Sequence, residues 1–335
     1  MYSRSQSESS KICYKNLRMM NKVSFLNLRK ITRFRRLPRS RQIIFFQENS
    51  ILNLVIQRIY LVLNLTWYYV AEHKKTSQKT ENLHALKEKF SSYDALMAAN
   101  GPSLLDLNFS ELKKRQDALE ITVFGINYTP LFDLGIRPNY LVLSDHFMHP
   151  RNNLGSNVLF WEKVKANPET ILITPTNWCN SNYFSQCSVG KCLHFNDIGA
   201  EGLVRGINPL HPRGYLSVTA LKALAITDFL GFKQIGVIGL DNTFFKGLRV
   251  TQELQMIENS HHASNEQHFN STLGDFWKLG VSDYFYFVSL NFYFLKKYFS
   301  NKRFVNMDRS SLVDAFSKIT SESSFTSLVR RENNG

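Results

Sequence analysis

Short apolar runs alternate with longer amphipathic ones over most of the chain. Ala95–Ala99, Ile121–Ile126, Tyr140–Ser144, Ile171–Thr174, Gln234–Leu240 and Phe304–Met307 have strand length and carry few charges. The segments Leu83–Ser91, Ser110–Arg115, Val158–Ala166 and Leu216–Leu230 read as helices. Gly231 stands just past the last of these, where a left-handed cap is wanted. His73–Asn82 is polar and reads as a linker, and the aromatic stretch Tyr284–Phe299 reads as core. Apolar strands separated by helices predict an α/β chain with a mainly parallel sheet covered on both faces.

The pattern changes ahead of the sheet. Of the 21 residues Ile51–Ala71, 16 are apolar or aromatic, enough for a helix about 30 Å long. Arg58 near its middle, with Asn53, Gln57 and Asn64, counts against a bilayer crossing. Trp67, Tyr68 and Tyr69 gather at one end, as residues at a membrane interface do. A buried or interfacial helix fits this pattern better than a spanning one. Residues 1–50 hold 12 basic and 2 acidic side chains, a net +10, against 41 − 27 = +14 for the whole chain. The body therefore carries only +4, which argues against a dedicated nucleic-acid binder. The expected organisation is a disordered basic arm at 1–50, an apolar helix and linker at 51–92, a nucleotide-binding catalytic domain at 93–320 and a disordered tail at 321–335. Such a chain is expected in the cytoplasm, peripheral to an anionic inner membrane surface.

With 43% hydrophobic and 20% charged residues, wholesale disorder is excluded. Four cysteines in 335 residues exclude a disulfide scaffold. Cys179, Cys187 and Cys192 form no CxxC, so they read as reduced thiols, with zinc binding alongside His194 as the lesser alternative.

In parallel sheets, ligands bind beyond the carboxyl ends of the strands. Here those ends are small and polar. Asn100-Gly101-Pro102-Ser103 follows the first run, Asn127 the second, Asp145 the third, Pro175-Thr176-Asn177 the fourth and Asp241 the fifth. Gly101 allows close backbone approach, Pro102 suits a helix start, and amides at such a start favour a phosphate. Asp145 and Asp241 read either as turn caps or as ligands for a ribose, a metal or an amine. His261, His262 and His268 lie in the polar stretch NSHHASNEQHFN, where a histidine can serve as general acid or base. The chain has no Walker GK[ST], no GxGxxG and no GxSxG elbow.

The order of segments is similar to that of the bacterial sialyltransferases of glycosyltransferase family 42 and their wider relatives. The segments are NGPSL, a strand ending at Asn127, LGIRPNYLVLSD, SVTALKALAITDFLGFKQIGVIGLD, NSH and NMDRSSLVDAF. Those relatives include flagellin-modifying nonulosonic acid transferases and 6-hydroxymethyl-dihydropterin pyrophosphokinases. The resemblance covers about Ala95–Lys318. It implies a Rossmann-like three-layer α/β/α fold and a CMP-activated sugar donor. It implies nucleotide contacts at Asn100, Gly101, Pro102, Ser103, Asn127 and Asp241, and a hydroxyl at the helix start at Thr219. Asp145 stands where the family has an Asn at the next strand end. His268 is the first candidate for the general base and His262 the second. Phe244 and Phe245 lie where one of the family's paired tyrosines is expected.

The expected activity is transfer of a sialic or related nonulosonic acid from CMP to a surface glycan, with no resident cofactor. The expected partners are the nucleotide-sugar donor, a glycan acceptor and an anionic membrane surface. The alternatives are a pyrophosphokinase-like enzyme using ATP, a pterin and Mg²⁺ held by Asp145 or Asp241, and a non-catalytic tethered scaffold.

Overall fold

The computed structural model describes residues 51–145, 148–150, 155–179, 192–201, 203–241, 248–250, 256–258 and 281–329. The chain divides into two units, Met1–Ile59 and Tyr60–Gly335, and the architecture below belongs to the second, save that the first helix begins at Ile51. Its strands are β1 (Asp94–Ala98), β2 (Ile121–Ile126), β3 (Tyr140–Val142), β4 (Ile171–Pro175), β5 (Cys192–Phe195) and β6 (Ile235–Ile238). A two-stranded antiparallel ribbon follows, β7 (Leu248–Val250) with β8 (Met256–Glu258), and then β9 (Phe304–Asn306) and β10 (Ser317–Lys318). Apart from the ribbon, the strands form one parallel sheet in the order β10-β9-β6-β1-β2-β3-β4-β5. The helices are α1 (Ile51–Trp67), α2 (His73–His84), α3 (Phe109–Asp117), α4 (Gly155–Lys165), α5 (Thr219–Leu230) and α6 (Val281–Phe299). The chain has the expected open α/β fold.

Alternation along each strand feeds both faces of the sheet. Leu96, Ala98, Ile121 and Val123 share one apolar cluster with Leu112 of α3. On β2 the next residue, Phe124, stacks on Tyr140 at 4.8 Å between ring centroids and meets Phe232 edge-on. Helix α3 starts where Asn108 accepts a hydrogen bond from the Glu111 amide (3.2 Å), and it ends near Lys114 and Arg115. Helix α5 is buried on all sides except at Asp228, as expected of a helix apolar around its whole circumference. Gly231 ends it at φ 83°, in the left-handed conformation that the sequence called for.

Lys222 of α5 is buried with the rest of that helix, so its charge needs partners. Its Nζ lies 2.7 Å from Asp197. Arg213 is equally buried; its Nε lies 3.0 Å from the same carboxylate and its Nη1 2.7 Å from Glu201. Arg213 also donates to the Tyr215 carbonyl. This two-plus, two-minus cluster ties the segment after β5 to the first turn of α5.

Three expectations need correction. The stretch 73–82, read as a linker, is helical as α2. Of the helix expected at Leu83–Ser91, Leu83 and His84 form the end of α2, and the rest is a series of turns in which the Glu88 and Phe90 amides donate to the Phe229 and Leu230 carbonyls. The inward face of α2 is Thr76, Thr80 and Leu83. Threonines leave no apolar period to read, although a hydroxyl is small enough to pack there. The expected tail at 321–335 begins too early. Phe325 and Leu328 are fully buried against the β1–β2 cluster, and Thr326–Leu328 forms a 3₁₀ turn. Among the described residues, no helix is long and apolar enough to cross a membrane.

Candidate functional site

The chain leaves β1 towards β2, β3, β4 and β5 on one side and returns to β6 on the other. Loops that leave neighbouring strands in opposite directions open a crevice between them at the carboxyl edge. The register makes the strand ends level. Ala98 pairs with both Gly125 and Ile238, and Ile126 pairs with Val142. Asn100, Asn127, Ser144, Asp145 and Gly239–Asp241 therefore emerge along one rim.

Two networks line this rim. The first closes the gap between β1 and β6. The Gly101 amide donates to the Gly239 carbonyl (2.8 Å), and the Ser103 amide donates to Asp241 Oδ2 (2.9 Å). The Ser103 hydroxyl donates to Asp241 Oδ1 and accepts from the Gly239 amide (3.0 Å). Gly239 sits at φ 71°, and a Cβ there would lie 2.3 Å from the Ala99 carbonyl oxygen. A Cβ on Gly101 would lie 2.5 Å from both Asp241 Oδ2 and the Gly239 carbonyl oxygen. Both loops therefore touch at positions that leave no room for a methyl group. Burial pushes the Asp241 carboxyl up from its ordinary range, and the two hydrogen bonds from Ser103 offset this only in part. Asp241 is thus the cap of the 3₁₀ turn Pro102–Asp106, in which Pro102 takes the first position. The Ser103 amide, expected from sequence to be available to a phosphate, is held by this carboxylate.

The second network joins β2, β3 and α5. Asn127 adopts φ 44°, a left-handed conformation that asparagine tolerates better than most residues. Its Nδ2 donates to Thr219 Oγ1 (3.0 Å), and its Oδ1 accepts from the Ser144 amide (3.3 Å). The Thr219 and Ser144 hydroxyls lie 2.7 Å apart. Asn100 connects the two networks by donating from Nδ2 to the Ile126 carbonyl (3.3 Å). Its Oδ1 is buried and has no hydrogen-bond partner among the described residues.

Thr219 is also the first residue of α5, and among the described residues no side chain caps that helix. A helix leading into β6 must begin at the carboxyl edge of a parallel sheet. Its first amides, unsatisfied within the helix, therefore open beside Asn127, Thr219 and Ser144. The rim offers an acceptor at Asn100, hydroxyls at Thr219 and Ser144, and a helix start suited to an anion.

The structure thus brings together Asn100, Gly101, Pro102, Ser103, Asn127, Thr219 and Asp241. Asp145 follows Ser144 directly on the same rim. Thr176 does not join them. Its carbonyl accepts from Lys79 of α2 (3.2 Å), and β4 stands four strand spacings, roughly 19 Å, from β6. His261, His262 and His268, together with Phe244 and Phe245, lie outside the described residues. Sequence reading passed over Ser144; its only signal was a hydroxyl one residue before Asp145 at a strand end.

A separate open cleft of about 610 Å³ lies between α2 and the β4–β5 side of the sheet, lined by Lys75, Lys79, Cys179, Cys192 and His194. Burial pushes the Cys192 thiol up to about 11 and holds the His194 imidazole below its ordinary value. His194 Nδ1 lies 2.9 Å from Thr174 Oγ1. Among the described residues, no group of three or more His, Cys, Asp or Glu is placed to hold a metal ion.

No protein-family model matches the chain, and no curated protein matches it. Among solved structures, it is similar to the MAf glycosyltransferase from Magnetospirillum magneticum AMB-1. The identity is 10% and the TM-score 0.41, over 75% of this chain and 39% of that one. The likeness thus spans well under half of that protein's length.

Proposed function

We propose that the carboxyl rim beyond β1, β2 and β3, beside the start of α5, binds a CMP-activated nonulosonic sugar, and that the chain is a glycosyltransferase acting on a glycan acceptor. One observation carries this reading: the start of α5, uncapped among the described residues, lies beside Thr219, Ser144 and Asn127, next to an Asn100 Oδ1 that has no partner among them. A mononucleotide needs an anion site and a few fixed polar groups for ribose and base, and the rim supplies both kinds.

In the proposed reaction, the acceptor hydroxyl oxygen attacks the anomeric carbon of the sugar. His268 takes the hydroxyl proton, with His262 as the second choice. The bond from the anomeric carbon to the phosphate oxygen breaks, and CMP leaves with the electron pair. The α5 amides and the Thr219 hydroxyl stabilise the charge that grows on the leaving phosphate. Ser103 and Asp241 hold the Gly101 loop in place and do not touch the reacting atoms.

Thermal unfolding with CMP, UDP, GDP and ATP, each with and without Mg²⁺, tests the donor. CMP is expected to raise the melting temperature most, because a ligand of the folded state stabilises by mass action. No shift with any cytidine nucleotide would overturn the donor assignment. Mg²⁺-dependent ATP consumption with a pterin would replace it with pyrophosphoryl transfer. Retained CMP-sugar turnover in His268→Ala would reject His268 as the base.

A further inference from the structure

Helix α1 presents two faces in the part that belongs to the folded unit. Leu61 and Leu65 are half-buried and Tyr68 is fully buried. The Tyr68 hydroxyl accepts a hydrogen bond from Asn196 Nδ2 (2.8 Å), just past the carboxyl end of β5. A π turn, Tyr68–Glu72, then leads into α2. At 100° per residue, Leu61, Leu65 and Tyr68 fall within about 60° of one another. Leu63 and Trp67 occupy the opposite side and Val62 lies about 90° from the buried face; they are 60%, 65% and 49% exposed. Val70 and Tyr69, in the π turn, are 80% and 49% exposed.

Exposed apolar side chains gathered on one helix face call for a partner. Charge selects which. From residue 51 to residue 71 the chain contains no Asp or Glu; Glu72 follows, and then Lys74 and Lys75, all three exposed. Residues 1–50, covalently continuous with this helix, carry 12 − 2 = +10. Among the described residues no helix is long and apolar enough to cross a bilayer, and a helix with an exposed apolar face and flanking lysines suits the membrane plane.

We infer that Val62, Leu63, Trp67 and Val70 dock this chain flat on an anionic phospholipid surface, with the basic arm supplying the electrostatic attraction. The apolar face enters the acyl boundary while Lys74 and Lys75 stay at the headgroups. Tyr68 and Asn196 fix the helix to the end of β5, which lies on the same edge of the sheet as the crevice. A docked enzyme would therefore have its active edge next to the lipid surface.

The test is co-sedimentation of the full chain with vesicles of phosphatidylcholine alone and of phosphatidylcholine with phosphatidylglycerol. Wild type, Leu63→Glu and Trp67→Glu are compared at low and high salt, with light scattering to give the oligomeric state. Both positions are exposed, and unchanged melting temperatures will show that the variants fold. The expected result is binding to the anionic vesicles that weakens with salt and falls at least tenfold in either variant. Variants that bind as well as wild type would overturn the inference and assign all attachment to the arm. So would absence of vesicle binding, with or without a wild-type dimer that Trp67→Glu dissociates. Nucleotide-induced shifts in melting temperature should be the same in all three proteins, so failure here is separable from failure of the crevice reading.

Discussion

Replacing Ser103 by alanine isolates the contact that holds the β1 and β6 loops together. The substitution removes one oxygen and leaves the Ser103 amide on Asp241 Oδ2. Two partners lose their bond at once: Asp241 Oδ1 and the Gly239 amide. A hydrogen bond to a charged group contributes about 1.5–3 kcal/mol, and a buried donor left unpaired costs about 1–3 kcal/mol. The expected destabilisation is therefore about 3–5 kcal/mol. At about 2–4 °C per kcal/mol for a domain of this size, the melting temperature should fall by roughly 6–20 °C. Urea unfolding should show a lower midpoint with an unchanged slope, since the surface exposed on unfolding is the same. A double-mutant cycle with Asp241→Ala checks the mechanism, and the two changes should couple by at least about 1.5 kcal/mol. A loss under about 0.5 kcal/mol in Ser103→Ala, or strict additivity with Asp241→Ala, would refute the described clasp.

Other outcomes follow from the same geometry. Gly239→Ala puts a methyl group 2.3 Å from the Ala99 carbonyl oxygen at φ 71°, so it should lose about 2–5 kcal/mol in urea titration. Lys222→Met leaves Asp197 with Arg213 alone among the described residues, and breaking a buried charge cluster on one side should cost about 3–5 kcal/mol by the same assay. Burial raises the Asp241 carboxyl above its unfolded value, so the folded chain binds that proton more tightly. This contribution is fully present below the unfolded value and is lost as pH rises through the folded value. The stability of wild type relative to Asp241→Asn should accordingly decline with rising pH across the acidic range. Cys192, with its thiol pushed up to about 11, should alkylate at mildly alkaline pH at least tenfold more slowly in the native chain than in the unfolded one, read by mass spectrometry.

The fold was legible wherever burial on both sides erased polar residues. β2 and β6 are short and apolar, α5 is apolar around its circumference, and Gly231 marks its end. The segments that escaped reading carry mixed surfaces. Cys192–Phe195 has its two buried residues, Leu193 and Phe195, separated by the half-exposed His194, too short an alternation to stand out. α2 hides its inward face behind threonines. At the site, strand-end logic located Asn100, Asn127, Asp145 and Asp241 but could not assign their work. Whether Asp241 meets a ligand or caps a turn depends on the return of β6 beside β1, a long-range pairing that no local window contains. The left-handed backbone of Asn127 is equally invisible in composition, since it arises from the turn that brings its amide to the Val142 carbonyl (3.0 Å).

The outermost described strand, β5, has one sheet neighbour among the described residues, β4, and α2 lies against it, with Lys79 reaching the chain just past β4. A shortened version begun at Asp94 would strip that companion and leave a bare ladder of amides and carbonyls for other molecules to extend. Shortening for crystallisation should stop upstream of Tyr68, whose hydroxyl also fastens Asn196, so that the sheet margin stays sealed and the purified material does not self-associate through it.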